Sequence, residues 1–184
     1  MAARKTAFPV EKVRRFMEPG PVVLVSSRFK DKTDIMTMGW HMVLETSPSL
    51  LGCYIWSRNF SHDLIKRSKE CVINIPDAKM ARTVVKIGNT SGKDIDKFAV
   101  HKLTAVPGKI VGAPLIAECH TNLECKLVDS SLIRKYSLFV FEVVRAVSRS
   151  KPALPQTIHY RGAGEFMVSG GSKSLRSLFR KDYL

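Results

Sequence analysis

The spacing of its β-branched runs most restricts the fold open to this chain. Pro21-Val22-Val23-Leu24-Val25-Ser26-Ser27 leads to the charged turn Lys30-Asp31-Lys32, and an apolar pattern resumes from Ile35 to Leu44. This predicts two antiparallel strands joined by a hairpin. Further strands are expected over Leu50 to Trp56, Cys71 to Ile75, Leu123 to Val128 and Leu138 to Val147. Helices are few and short: one opening at Ser61 as N-cap, one carrying Met80, Val84 and Ile87 and stopping at Gly88, and a turn over Asp94 to Phe98. About six strands with no helix between every pair favour a mainly β fold over a doubly wound sheet. The expected architecture is a mostly antiparallel β-barrel with peripheral helices. Pro107 to Pro114 is too rich in glycine and proline for regular structure.

A chain of 184 residues is read as a single domain, with its core over about residues 10–168. Val10, Val13, Phe16 and Met17 recur at helical spacing after Pro9, which predicts a short N-terminal helix. Residues 169–184 are Gly/Ser-rich and basic through Lys173, Arg176, Arg180 and Lys181, and read as a docked or partly flexible tail. No apolar run reaches the roughly 20 residues of a membrane helix, and the polar start has no secretory pattern. Cys53, Cys71, Cys119 and Cys125 form no C-x-x-C pair and fall in or beside apolar runs, so free thiols in a reducing compartment, the cytoplasm, are expected. Cys119, His120 and Cys125 lack a second ligand pair, and no metal is expected. The +14 formal charge could attract phosphates, nucleic acid or anionic surfaces. Outside the tail the basic residues are scattered without interleaved aromatics, which makes nucleic-acid binding the weaker reading.

Two stretches carry candidate chemistry. Arg58-Asn59-Phe60-Ser61-His62 stands between a strand and a helix, where free N–H groups, the helix dipole and a guanidinium could cradle a phosphate. The same residues also read as an ordinary N-cap beside a solvated arginine. Thr37-Met38-Gly39-Trp40 places a hydroxyl, a glycine and polarizable or aromatic groups on one strand, suited to a flat ring with polar edges or simply to a packed core. No G-x-S-x-G or H-E-x-x-H pattern supports hydrolysis, and no strand-to-helix glycine fingerprint supports a Rossmann unit.

Taken in order, these segments resemble the flavin reductase-like, FMN-binding split-barrel family that includes flavoredoxin. The resemblance runs over about Pro21 to Val147 and adds Ser47-Pro48-Ser49-Leu50-Leu51, Val72-Ile73-Asn74-Ile75-Pro76, Ser91-Gly92-Lys93-Asp94-Ile95-Asp96-Lys97-Phe98 and Leu123-Glu124-Cys125. It implies FMN, with Thr37, Met38, Gly39, Trp40 and Trp56 along the isoalloxazine, and Arg58, Asn59, Ser61 and His62 on the ribityl phosphate. Asn74 and Ser91, Gly92 and Lys93 would close the pocket, and Lys93 or Lys97 would stand by the N1–C2 edge. Many relatives have Asn where this chain has Asp34, and Thr where it has Ser61. A homodimer with FMN near the interface is also implied. No catalytic side chain is needed, because the chemistry belongs to the flavin. The expected function is an NAD(P)H:flavin oxidoreductase passing electrons to a flavin or other acceptor. The alternatives are a flavoredoxin-like carrier fed by a redox protein, and a non-catalytic basic module binding nucleic acid.

Overall fold

A computed structural model describes residues 20–178. The expected helix over Val10 to Met17, and Arg180 and Lys181 of the tail, lie outside the described residues. The strands are β1 (Val23–Phe29), β2 (Lys32–Met38), β3 (His41–Glu45), β4 (Leu50–Tyr54), β5 (Glu70–Ile75), β6 (Ala105–Val106), β7 (Leu115–Ile116), β8 (Thr121–Asp129), β9 (Leu138–Ser148), β10 (Ile158–Gly162) and β11 (Glu165–Val168). The helices are α1 (Phe60–Ser68), α2 (Ala81–Gly88), α3 (Lys97–Val100) and α4 (Ile133–Tyr136). Seven strands join in the order β2-β1-β5-β8-β9-β4-β3, with every pairing antiparallel.

The two ends of this sheet, β2 and β3, are consecutive in the chain and meet at Gly39-Trp40. The sheet therefore curls until its edges meet at one corner and part beyond it, which makes a split barrel. The apolar pattern from Ile35 to Leu44 reads in sequence as one strand, but it divides here. β2 pairs with β1 and β3 with β4, and the Trp40 carbonyl accepts from Tyr54 N at 3.0 Å to hold the corner.

Period-two alternation explains the unbroken apolar run in β1. Val23 and Val25 point into the barrel beside Met36, Met38, Cys53 and Phe139. Val22 and Leu24 face outward to a second cluster with Ile35, Val84, Ile87 and Ile158, so both faces of the strand are buried. The amphipathic helix α2 covers that outer cluster with Val84 and Ile87. The helical turn expected over Asp94 to Phe98 forms later, as α3, because the Asp96 side chain accepts from Phe98 N at 2.9 Å and Ala99 N at 3.2 Å.

After Val147 the chain continues into the β10–β11 hairpin, which the sequence reading did not include. Its turn is Gly162-Ala163-Gly164, all at positive φ (87°, 54° and 82°), a conformation that glycine adopts without penalty. Val22 N donates to Ile158 O at 2.8 Å and ties the hairpin to the start of β1.

All four cysteines are free and buried. Burial pushes the Cys53 and Cys119 thiols up to about 12, and they stay protonated and unreactive at neutral pH. Among the described residues no helix is long and apolar enough to cross a membrane, and no three His, Cys, Asp or Glu side chains converge as a metal site.

Glu124 anchors the irregular 107–114 segment from inside the sheet. It is fully buried, accepts from Ile110 N at 2.6 Å and Val111 N at 3.0 Å, and pairs with Arg145. Burial alone would raise its pKa, but the N–H of Ile110, the Arg145 guanidinium and the N–H groups of Val111 and Lys109 outweigh it and hold the carboxyl below its ordinary value. A depressed folded-state pKa stabilises above the unfolded carboxyl's range, about pH 4.3, and that contribution is lost as pH falls through the folded value. Urea unfolding at stepped pH should show Glu124→Gln less stable than wild type at pH 7 and the gap closing in acid. A gap independent of pH would remove Glu124 from the acid response.

Candidate functional site

Three cavities meet on the outer face at the end of β2, and Thr37 lines all of them. The first is polar, about 160 Å³, and is bounded by Arg58, Asn59, Ser91, Lys97 and Asp34. Asn59 occupies the N-cap position of α1 without a capping hydrogen bond from its side chain, so the first N–H groups of the helix keep no side-chain acceptor. Its amide instead approaches Met36 Sδ at 3.6 Å. Arg58 rests over the Trp56 ring, 5.2 Å from its centroid, with no carboxylate partner among the described residues. These are the donors and the field that suit an anion.

The second cavity, about 250 Å³, is lined by Met36, Thr37, Met38, Gly39, Trp40, Tyr54, Trp56 and Asn59. Trp40 and Trp56 are each 49% exposed, with Trp40 tilted against Tyr54 at 5.1 Å between centroids. Two half-bare indoles beside a glycine form an open slot for a flat apolar ring. The third cavity, about 470 Å³, runs from Thr37, Gly39 and Trp40 to Val84, Val85 and the hairpin residues Tyr160 and Phe166.

A buried ion pair supports the polar end. Asp34 and Lys97 have side chains 2% and 4% exposed, with Nζ 3.2 Å from Oδ1. Lys97 donates to Ile35 O at 2.6 Å, and Ser61 Oγ donates to Asp34 Oδ2 at 2.6 Å. The Oδ1 contact is a close ion pair without hydrogen-bond alignment. Lys97 is thus neutralised by Asp34, and Arg58 is the net positive charge of the cavity. Lys97, expected by the N1–C2 edge, is buried against Asp34.

Several expected site residues stand elsewhere. Ser61 is not the N-cap and is buried, because its hydroxyl is spent on Asp34. His62 turns from the groove and meets Phe139 edge-on at 5.2 Å; burial lowers its pKa, Lys66 adds to that, and Asp63 opposes. Asn74 is buried between β1 and β8, where it donates to Leu24 O and accepts from Ile116 N, both at 3.0 Å, and from Asn122 at 2.8 Å. It has structural work and no surface on the groove. Gly92 and Lys93 border a separate hollow with Arg28, Asp31 and Lys32. The sequence reading missed Val22, Val84, Val85, Tyr160 and Phe166 as groove residues. The Gly162-Ala163-Gly164 turn between two apolar runs was the available signal for the last two.

Gly92 has a steric role. A Cβ there would overlap Asp34 Oδ1, which Lys97 and Ser61 prevent from moving aside. Gly92→Ala is therefore expected to cost about 1–3 kcal/mol of stability, as overpacking does. An unchanged urea midpoint would show that the loop gives way freely.

The sequence profile described as the flavin reductase-like domain matches residues 14–164. An uncharacterized protein of Archaeoglobus fulgidus is 37% identical over 114 residues, which cover 62% of this chain and 64% of that protein. The match thus spans just under two thirds of that relative's length. Flavoredoxin from Methanosarcina acetivorans superposes with a TM-score of 0.83 at 22% identity, covering 99% of this chain and all of that one. An FMN-binding protein from Thermus thermophilus, solved with p-hydroxybenzaldehyde, gives a TM-score of 0.80 at 20% identity over 95% of this chain and 99% of that one. The mostly antiparallel barrel read from the strand pattern, and the split barrel that the resemblance implied, agree with the fold of these structures, and the chain belongs to the flavin reductase-like domain family.

Proposed function

We propose that this chain binds FMN in the groove and works as an oxidoreductase of the flavin reductase type, taking electrons from NAD(P)H and passing them to a flavin or other acceptor. The observation that carries this reading is the junction at Thr37, where a cationic cavity with an uncapped helix N-terminus opens into a slot between two tryptophans. FMN has the same polarity, with a phosphate at one end and a planar ring at the other. Arg58, Asn59, Ser91 and the α1 N-terminus would hold the ribityl phosphate, and Trp40, Trp56 and Gly39 would flank the ring. Bound there, FMN supplies hydride and single-electron transfer at its N5 edge. The chain's own part is to bind, orient and shield. The +14 charge draws in the anionic dinucleotide.

The reading includes a homodimer. β3 is an edge strand whose Met42, Val43 and Leu44 are 54%, 70% and 44% exposed beside Trp40. A bare apolar edge of this kind calls for a partner surface, and a second copy would extend the groove's wall. Val43→Lys should shift the light-scattering mass toward the monomer.

Adding FMN to the purified protein and then NADH or NADPH anaerobically tests the central claim. Bound FMN bleached by a nicotinamide supports the reductase. Bound FMN inert to both identifies a carrier fed by a redox protein, and failure to take up FMN overturns the reading. Arg58→Gln with Asn59→Ala should weaken FMN binding by about tenfold or more, the loss of one charge-assisted hydrogen bond.

A further inference from the structure

We infer that the 470 Å³ cavity beside the slot is the acceptor site, and that it takes a neutral, planar conjugated carbonyl compound of the quinone class. The inference rests on the flavin reading above and names the substrate that the reading leaves open. The cavity's size falls within the roughly 300–1,000 Å³ of small-molecule sites. Its lining is the telling feature. A quarter of the chain's residues are charged, and the chain carries +14, yet among the described residues no Lys, Arg, Asp or Glu lines this cavity. The polar cavity next to it holds three such residues.

The walls suit a flat ring. Tyr160 and Phe166 face one another across the hairpin at 5.0 Å between centroids, tilted by 48°. Val84 and Val85 of α2 form a second side, and Trp40 closes the end that is shared with the slot. The polar side chains are neutral. Thr37 Oγ1 donates to Val84 O at 2.8 Å, Tyr160 Oη accepts from Gly164 N at 3.3 Å, and Asn89 brings a carboxamide able to donate to a ligand carbonyl. An anionic ligand would lose hydration here and find no countercharge among the described lining residues, whereas a neutral one keeps its carbonyl bonded and buries its ring. Thr37, Gly39 and Trp40 belong to both cavities, so the two ligands would stand in contact.

The reaction balances without a further reagent. NAD(P)H gives up a hydride and becomes NAD(P)+; the quinone gains that hydride's two electrons and proton, takes one proton from water, and leaves as hydroquinone.

Menadione and lawsone test this directly, since they are close in shape and only lawsone is an anion at neutral pH. Quenching of tryptophan emission in the FMN-loaded protein should show menadione binding at least tenfold more tightly than lawsone. Val85 is 39% exposed on α2, so Val85→Arg puts a cation at the cavity without disturbing the core. That variant, titrated with FMN held saturating, should reverse the preference, and steady-state quinone reduction should follow with the same reversal in KM. Equal binding of the two compounds, or a preference that Val85→Arg leaves alone, would overturn the inference. A protein that takes up FMN but neither quinone refutes the acceptor site alone. One that takes up no FMN refutes the flavin reading, and the same titration without FMN then judges the cavity separately.

Discussion

Lys97→Met is expected to lower the unfolding free energy by about 3–5 kcal/mol, the cost of leaving one member of a buried ion pair without its counter-charge. The Asp34 carboxylate would remain enclosed with only the Ser61 hydroxyl and no cation. It would then draw in water or a proton, and the Gly92 loop pressed against it would move. Replacing both residues, as Asp34→Asn with Lys97→Met, should restore a large part of the loss, because no bare charge remains. Urea unfolding of the two single variants and the double gives the coupling directly. Additive losses would mean that the pair does not act as a pair. FMN binding in the double variant is a separate readout, since Arg58 keeps the cavity's net positive charge.

Phe139→Ala should have an effect of the same size, about 3–5 kcal/mol, through a cavity in the barrel interior. Phe139 is fully buried, stacked on Phe141 at 5.9 Å with the rings within 7° of parallel, and capped edge-on by His62. Phe141 in the same strand and His62 of α1 lose their common contact at once. Trp56→Ala, at a side chain half exposed, should by contrast barely move the urea midpoint while weakening ligand binding. The pair of variants thus separates the barrel's core from its groove. A loss below about 1 kcal/mol for Phe139→Ala would show that the interior collapses around the gap.

The sequence was most legible where one force acted alone. Six apolar runs covered all seven strands of the main sheet, with Ile35 to Leu44 spanning two of them, because a strand buried on one or both faces must be apolar at period two. The break at Gly39-Trp40 was hidden because β2 and β3 are similar in hydrophobicity and differ only in partner, which is a tertiary matter. Thr37, Gly39, Trp40, Trp56, Arg58 and Asn59 come together because they flank a single corner of the sheet. Ser61, His62 and Asn74 do not join them. A hydroxyl, an imidazole and an amide near a helix start or in a strand look alike in sequence whether they face a ligand or a buried partner, and here Asp34, Phe139 and Ile116 had the prior claim. The hairpin residues Tyr160 and Phe166 reach the groove from more than a hundred residues beyond Thr37, and although the Gly162-Ala163-Gly164 turn marks their hairpin, it does not say which groove they line.

The order of pairing in the sheet also governs when the groove can exist. β9 bonds to β8 on one side and to β4 on the other, and its pairing joins the β2-β1-β5-β8 half to the β4-β3 half, whose other join is the Gly39-Trp40 corner. Thr37 stands in the first half and Tyr54 in the second, and pairing with Leu138–Ser148 fixes the two walls relative to each other. Before β9 pairs, the sheet's two halves are not yet locked together by strand pairing. Such distant pairings are slow to form, and ligand uptake should trail the appearance of β-structure as the chain refolds. Capture of the ligand thereby serves as a clock for the last step of assembly.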